Sequence, residues 1–136
     1  MVAEPDDAME LVNELMGWFR QHPFPEYQPG EMQVPAVVSD SSLCHVQVTN
    51  WSHETGFESG SSERGERCAG ASADVARYTA KILNDYADGV FEITHEPDEV
   101  VGECMACHSE LTRGKENCTT CHKPPIEPTD IHDDFY

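Results

Sequence analysis

Two short patterns of cysteine and histidine are the residues of this sequence best suited to chemistry. Residues 104–108 read CMACH and residues 118–122 read CTTCH, so the pattern Cys-x-x-Cys-His occurs twice. This pattern is the signature of covalent haem c attachment. The two thiols form thioethers with the two vinyl groups of the porphyrin, and the two intervening residues set the reach between them. The histidine that follows is placed beneath the ring, where its imidazole binds iron.

Together the two patterns predict two haem c groups. The thioether-forming thiols are those of Cys104, Cys107, Cys118 and Cys121, and the proximal iron ligands are His108 and His122. Nine residues separate His108 from Cys118, and a segment of that length spans roughly 30 Å even when fully extended. We therefore expect closely spaced haems, which permits fast electron transfer between them.

A zinc site is the competing interpretation of the same cysteines. Two Cys-x-x-Cys pairs can supply the four thiolates of a tetrahedral zinc site. Zinc does not explain why each second cysteine is followed by a histidine, and two such coincidences in one short segment are improbable. Haem is therefore favoured over zinc, and disulfides between these cysteines are less favoured still.

The sixth coordination position of each iron needs a further ligand. Five histidines lie outside the two patterns: His22, His45, His53, His95 and His132. Methionine ligation would raise the reduction potential relative to histidine. However, Met105 lies within its own attachment loop, and Met9 and Met16 have core spacing on a predicted helix. Histidine is therefore favoured at both irons, which predicts low potentials, although any single histidine can equally be a solvated surface residue.

Composition indicates a small, strongly acidic protein. Hydrophobic residues make up 38% of the chain, so a core built from side chains alone would be thin and a haem could complete it. Eight Lys and Arg face 26 Asp and Glu, for a net charge of −18. This charge disfavours binding to nucleic acid or anionic lipid and favours basic redox partner proteins. Solubility or adaptation to high salt is the alternative explanation.

Covalent haem attachment also bears on the compartment, because it normally takes place outside the cytoplasm. No apolar run approaches the length of a membrane span. Residues 1–7 are acidic and do not form a basic, apolar leader. We therefore expect an exported protein, periplasmic or extracellular, whose leader has been removed or which is part of a longer precursor.

Three predicted helices must position these groups. The first is capped by Asp6 or Asp7 and runs to about Gln21. The second runs from Ser41 or Ser42 to about Thr55, with a short strand at residues 46–48 as the alternative. The third runs from Ser61 or Ser62 to about Asp88, where Gly89 suits a left-handed C-cap. The apolar faces are Met9, Val12, Leu15, Met16 and Phe19; then Leu43, Val46 and Trp51; then Val75, Tyr78, Ile82 and Tyr86.

The predicted fold class is therefore mainly α. We expect one domain over residues 1–136, with a helical part at 1–89 and an irregular haem-attachment segment at 90–136. Residues 23–40 are rich in Pro, Gly and Glu and are typical of a traversing loop. Residues 56–60 are expected to form a turn.

Several segments resemble the C-terminal, dihaem-binding part of the split-Soret cytochromes c. They are residues 43–51 (LCHVQVTNW), 62–69 (SERGERCA), 74–76 (DVA) and 83–89 (LNDYADG), and the two haem patterns follow at similar distances. The resemblance covers most of residues 8–122. It implies a mostly helical homodimer that gathers four haems, in which one subunit can supply an axial histidine to the other. On that pattern His45 is the first candidate distal ligand; His95, near the attachment segment, is second and His132 third.

Cys44 and Cys68 remain, on two different predicted helices. In an exported protein a Cys44–Cys68 disulfide is favoured, and closing this loop would stabilise the fold by roughly 3 kcal/mol. Free thiols are one alternative. A shared iron–sulfur cluster is another, but it needs about four ligands and one chain offers two.

Three functions fit this sequence. The first is an electron carrier with both irons six-coordinate, in a discrete dimer. The second is a structural conductor, a polymer of stacked haems. The third is a haem enzyme or gas sensor with an open iron position that binds carbon monoxide. Because no paired acids, activated nucleophile or phosphate loop is evident, we expect that the chain is not an enzyme.

Overall fold

The computed structural model describes residues 5–95, which belong to one compact unit. They form three helices: α1 (Pro5–Gln21), α2 (Cys44–Thr55) and α3 (Ser62–Ala87). Within this part of the chain, β pairing is limited to one antiparallel bridge between Phe24 and Val37. The mainly helical fold class predicted from the sequence is confirmed. Among the described helices, none combines the length and the apolar character that a bilayer crossing requires.

Helix α1 begins with a proline, which suits the first helical position because its missing N–H would have no partner there. The predicted cap at Asp6 or Asp7 is wrong, since the helix starts at Pro5 and already includes both residues. The side chain of Asp7 instead accepts a hydrogen bond of 2.6 Å from the Tyr86 hydroxyl. This bond ties the start of α1 to the end of α3.

The buried face of α1 differs from the predicted one. Leu11, Glu14 and Trp18 are buried, whereas Met9 and Val12 are 39% and 44% exposed. The prediction that Met9 and Val12 face the core is therefore wrong. A pattern based on apolar residues predicts that a glutamate is exposed. Glu14 is nevertheless buried, because several hydrogen-bond donors converge on its carboxylate. Three further members of the predicted face are half-buried: Leu15, Met16 and Phe19.

Residues 46–48 lie within helix α2, so the alternative prediction of a short strand there is wrong. The N-cap position of α2 is Leu43, one residue or more beyond the predicted serine, and the Ser41 hydroxyl accepts the Leu43 N–H at 3.1 Å. Trp51 is fully buried, and its indole N–H donates to the Pro35 carbonyl at 2.8 Å. Gly56 ends the helix with a φ of 77°, a conformation that favours glycine.

Helix α3 follows the prediction closely. Ser61 caps it by accepting the Arg64 N–H, and Asp88 and Gly89 end it, the latter with a φ of 73°. Its apolar face packs against α1. Ile82 is buried, and Val75 and Tyr78 pack against a core cluster formed by Trp18, Phe24 and Ala71. The Tyr78 ring stacks on Trp18 with a centroid distance of 4.1 Å.

The loop after α1 is pinned to α3 by a buried carboxylate. Asp74 is fully buried, and its two oxygens accept the backbone N–H groups of Glu26 at 2.7 Å and Tyr27 at 3.0 Å. Gly70 allows this approach, because a Cβ at that position would lie 2.6 Å from Cβ of Pro25. The predicted irregular loop is therefore held at a defined place on α3.

Candidate haem-ligand site

Most of the predicted haem-binding residues lie outside the described part of the chain. These are the attachment cysteines at positions 104, 107, 118 and 121, the proximal ligands His108 and His122, and His132. Their roles stay predictions. Two predicted distal ligands, His45 and His95, lie within residues 5–95 and occupy very different surroundings.

His95 is held by a carboxylate of helix α1. Glu14 is 1% exposed, and its Oε1 lies 2.7 Å from Nδ1 of His95. The same oxygen accepts the hydroxyls of Tyr78 at 2.7 Å and Thr94 at 2.6 Å. Its Oε2 accepts the backbone N–H groups of Thr94 at 2.8 Å and His95 at 2.9 Å. Glu14 therefore fixes both the main chain and the ring of His95.

The convergence of donors keeps Glu14 ionised. Burial alone would raise the pKa of its carboxyl, but hydrogen bonds from Thr94, His95 and Tyr78 outweigh burial and lower the pKa to about 2. Burial and the bond to Glu14 raise the pKa of Tyr78 to about 12, so its hydroxyl stays a donor. An ionised carboxylate can only accept, and Nδ1 of His95 must then carry the proton. In the neutral ring this leaves the lone pair on Nε2.

A glycine on α1 provides the space that His95 occupies. A Cβ at position 17 would lie 2.8 Å from Cβ of His95, and still closer to the His95 carbonyl oxygen. Glu14 and Gly17 are three residues apart on one helix and share a face. One turn of α1 therefore supplies both the carboxylate and the gap into which His95 fits.

The His95 ring fits the donor set of a haem iron. Its side chain is 24% exposed, so the ring is anchored without being enclosed. The Tyr78 ring meets it edge-on at 6.1 Å between centroids. No residue between positions 5 and 95 contributes a hydrogen bond to Nε2. A ligand histidine typically binds metal through one ring nitrogen while the other donates to a carboxylate, and His95 has the carboxylate contact of that arrangement.

The other histidines differ from His95. His45 is the second residue of α2 and is exposed, beside the exposed Cys44. His22 belongs to the core, with its ring stacked on Trp18 at 4.5 Å. Burial lowers the pKa of His22, against the opposing influence of Asp74 and Glu26. His22 is therefore a neutral packing residue.

The predicted Cys44–Cys68 disulfide is absent. Both residues are free thiols, Cys44 exposed and Cys68 half-buried. A disulfide requires the two Cβ atoms to face each other at about 4 Å. The prediction rested on the two cysteines lying on neighbouring helices, but that does not determine which faces of the helices meet. Over residues 5–95, His, Cys, Asp and Glu side chains form no cluster of three or more suited to a metal ion.

Sequence reasoning missed the residues that support His95. Glu14, Tyr78 and Thr94 are far apart in sequence and reach one point only through the packing of α1 on α3. One signal was available. Glu14 lies between Leu11 and Trp18 at helical spacing, and a carboxylate on the buried face of a helix usually has a specific partner.

Comparisons with known proteins agree on one relative. No protein-family model matches the chain. The chain is 34% identical over 128 aligned residues to split-Soret cytochrome c from Desulfovibrio desulfuricans, covering 82% of this chain and 45% of that protein. It is also similar to a solved structure that presents a novel iron centre in the split-Soret cytochrome c of the same species. There the TM-score is 0.79 and the identity 31%, over 90% of this chain and 57% of the other.

The chain thus spans about half the length of the relative it matches, and over that span sequence and fold agree. The agreement supports haem and iron as the cofactor chemistry expected from the Cys-x-x-Cys-His patterns. On these grounds the chain is a haem c cytochrome that belongs to the split-Soret cytochrome c family.

Proposed function

We propose that this chain transfers electrons through two haem c groups and is not an enzyme. The observation that carries the proposal is the doubled Cys-x-x-Cys-His pattern in a member of a haem c family. Thioethers would form at Cys104, Cys107, Cys118 and Cys121, with His108 and His122 as proximal ligands. When bound, each haem supplies a one-electron couple at iron whose potential depends on the axial ligands.

We further propose that histidines complete the coordination of both irons. The hydrogen bond between His95 Nδ1 and Glu14 supports His95 as one of these ligands, since it leaves Nε2 to bind a metal. His45 remains a candidate on the family resemblance. An exposed imidazole on α2 suits an iron of a second subunit in a homodimer. His132 is the third candidate.

Export, self-association and basic redox partners belong to the same proposal. Covalent haem attachment favours a periplasmic or extracellular location. A net charge of −18 favours partners with basic surfaces, whose association is fastest at low ionic strength.

The deciding experiment is a haem count on the purified holoprotein. The pyridine haemochrome should give two haems per chain, and acid–acetone extraction should leave the colour on the protein. Replacing Cys104 and Cys107 by Ala should remove one covalently attached haem, and replacing Cys118 and Cys121 should remove the other. Extractable haem, or zinc in place of iron, would overturn the proposal.

The role of His45 has its own test. His45→Ala should leave both haems attached but should open one iron to carbon monoxide, since a six-coordinate iron loses its distal ligand. If the ligand is shared across subunits, the dimer should weaken as well. His53→Ala, on the same helix and also exposed, is the matched control. A variant that stays fully low-spin and unreactive would remove His45 from the candidates.

An additional iron site at the free thiols is a second candidate. Two observations favour it: Cys44 and Cys68 are unbonded, and the similar solved structure presents a novel iron centre. A four-ligand cluster would need further ligands from another chain. Total iron above the haem count, together with acid-labile sulfide that is lost in Cys44→Ser, would support it. Iron equal to the haem count would exclude it.

A further inference from the structure

We propose that Glu14 is a positioning residue for His95, fixing its tautomer and orientation for iron ligation and lowering the reduction potential of the iron that His95 binds. The inference rests on the proposed function, because it requires His95 to be a ligand. It concerns residues of this chain for which neither the haem patterns nor the family resemblance gives a role.

The first step of the argument is geometric. Glu14 holds the backbone N–H of His95 through Oε2 and the ring through Oε1, so the ring is fixed at two points. The backbone and hydroxyl of Thr94 bind the same carboxylate and hold the adjacent residue in place. Gly17 keeps the approach open from the same helix face. Structural packing alone does not require a buried carboxylate that hydrogen-bonds an imidazole still 24% exposed.

The second step is electronic. Glu14 accepts hydrogen bonds from four donors, namely the hydroxyls of Tyr78 and Thr94 and the backbone N–H groups of Thr94 and His95. Its carboxylate therefore acts as an accepting anion toward Nδ1 of His95, which lies 2.7 Å away. A ring N–H that donates to an anion pushes electron density onto the ring and makes the opposite nitrogen a stronger metal ligand. A stronger donor stabilises the oxidised iron more than the reduced iron. The potential of that iron is therefore lowered.

The third step gives Tyr78 a share in this effect. Its hydroxyl donates to the same oxygen that His95 uses, at 2.7 Å. That bond withdraws negative charge from Oε1 and so weakens the hydrogen bond between Oε1 and the ring N–H of His95. Tyr78 therefore opposes Glu14, and the two residues set the donor strength of His95 together.

Glu14→Gln in the holoprotein is the direct test. The amide keeps the shape of the side chain but loses the charge, and we expect the reduction equilibrium of one haem to shift about tenfold toward the reduced state, equal to 59 mV for one electron. Glu10→Gln is the matched control. It removes the same charge from an exposed position one turn earlier on α1 and should leave both potentials nearly unchanged.

Tyr78→Phe gives a test of opposite sign. The phenyl ring can keep the stack on Trp18, while the competing donor to Oε1 is lost. The potential of the same haem should then fall. Purely structural damage would not move the two variants in opposite directions. If Glu14→Gln fails to fold by circular dichroism or loses haem, Tyr78→Phe decides alone, and a potential that does not fall overturns the inference.

His95→Ala separates the two proposals. If this variant leaves both irons low-spin and closed to carbon monoxide, His95 is not a ligand. The ligand assignment of His95 and the positioning role of Glu14 are then both wrong, while electron transfer through two haems still stands or falls with the haem count. If His95→Ala opens one iron while Glu14→Gln behaves like Glu10→Gln, the ligand assignment stands and only the positioning role is wrong.

Discussion

Among the histidines of residues 5–95, the surroundings of the ring distinguish one residue from another better than its position in the sequence does. His22 is stacked on Trp18 inside the core, His45 is exposed on the first turn of α2, and His95 donates to a buried carboxylate. All three look alike in sequence. Of the four histidines in this range, His53 included, only His95 hydrogen-bonds a buried carboxylate through its ring, an arrangement typical of metal-bound histidines. His22 Nε2 also lies near a carboxylate, 3.4 Å from Glu26, but that carboxylate is 53% exposed.

Gly17→Ala should displace His95 from its position against helix α1. The new methyl group would overlap the backbone and Cβ of His95, and overpacking of this kind costs about 1–3 kcal/mol of unfolding free energy. The measurement is urea denaturation of the variant and the wild type. Gly65→Ala is the control, because that glycine lies within α3 with open space around it. It should stabilise by roughly 0.5–1 kcal/mol through helix propensity, and equal effects at both sites would contradict the clash.

The neutral state of His22 predicts a pH dependence. Burial lowers its folded pKa below the ordinary value of 6.5, while Asp74 and Glu26 partly oppose this and Arg77 adds to it. Below the unfolded pKa the unfolded chain binds the proton more readily than the folded one. This histidine therefore makes its full contribution to stability above about 6.5 and loses it as the pH falls.

The His22 prediction can be checked by denaturation on either side of pH 6.5. His22→Phe should remove part of the pH slope, whereas the exposed His53→Phe should leave the slope as it is. An unchanged slope in His22→Phe would show that the ring is not buried in its neutral form.

At the scale of elements, the positions of helices could be predicted better than the faces they bury. All three helices lie where apolar spacing and end signals indicated, because Pro23, Gly56 and Gly89 interrupt the chain at defined places. The face of α1 could not be predicted, since Glu14 is buried by partners more than 60 residues away in sequence, Tyr78 the nearest of them. The same limit applies to Cys44 and Cys68, whose separation depends on how helices pack.

For the candidate haem-ligand site too, local features could be predicted from the sequence and long-range contacts could not. His95 could be named as a candidate from its place before the attachment segment, but the contacts that favour it in our proposal could not be predicted. The reason is that its support comes from α1 and α3 together, through Glu14 and Tyr78. Local patterns in sequence predict haem attachment directly, because both cysteines and the proximal histidine lie within five residues. A distal ligand comes from elsewhere in the chain and leaves no such local pattern.

Asp74→Asn should loosen the loop from α3. The amide can accept one of the two backbone N–H groups that Asp74 now binds, and its NH₂ group would face the other. A buried donor left without a partner costs about 1–3 kcal/mol. Thermal or urea unfolding measures the loss. Asp85→Asn is the control, because Asp85 pairs with the exposed Lys81 at 2.6 Å, and such surface pairs contribute about 0–1 kcal/mol. Equal losses would contradict the role given to Asp74.

At the scale of the whole molecule, self-association distinguishes the proposed carrier from a conducting filament. Light scattering coupled to size exclusion should give a discrete dimer whose mass does not grow with concentration. Reduced protein should not bind carbon monoxide, because both irons would be six-coordinate. Open-ended polymers would favour the structural conductor, and ready carbon monoxide binding would favour the sensor or enzyme. Low salt should not dissociate the dimer if shared ligation holds it, despite the repulsion between two chains of charge −18.

The close contact between Gly17 and His95 has an evolutionary consequence. Glycine is needed at position 17 only while a residue sits against it, and a buried carboxylate at position 14 is tolerable only while donors surround it. The two positions should therefore be inherited together with His95. In lineages that keep this histidine, substitutions at 14 and 17 should be purged by selection. In lineages that have lost it, both positions should drift, with apolar residues replacing Glu14 and larger side chains replacing Gly17.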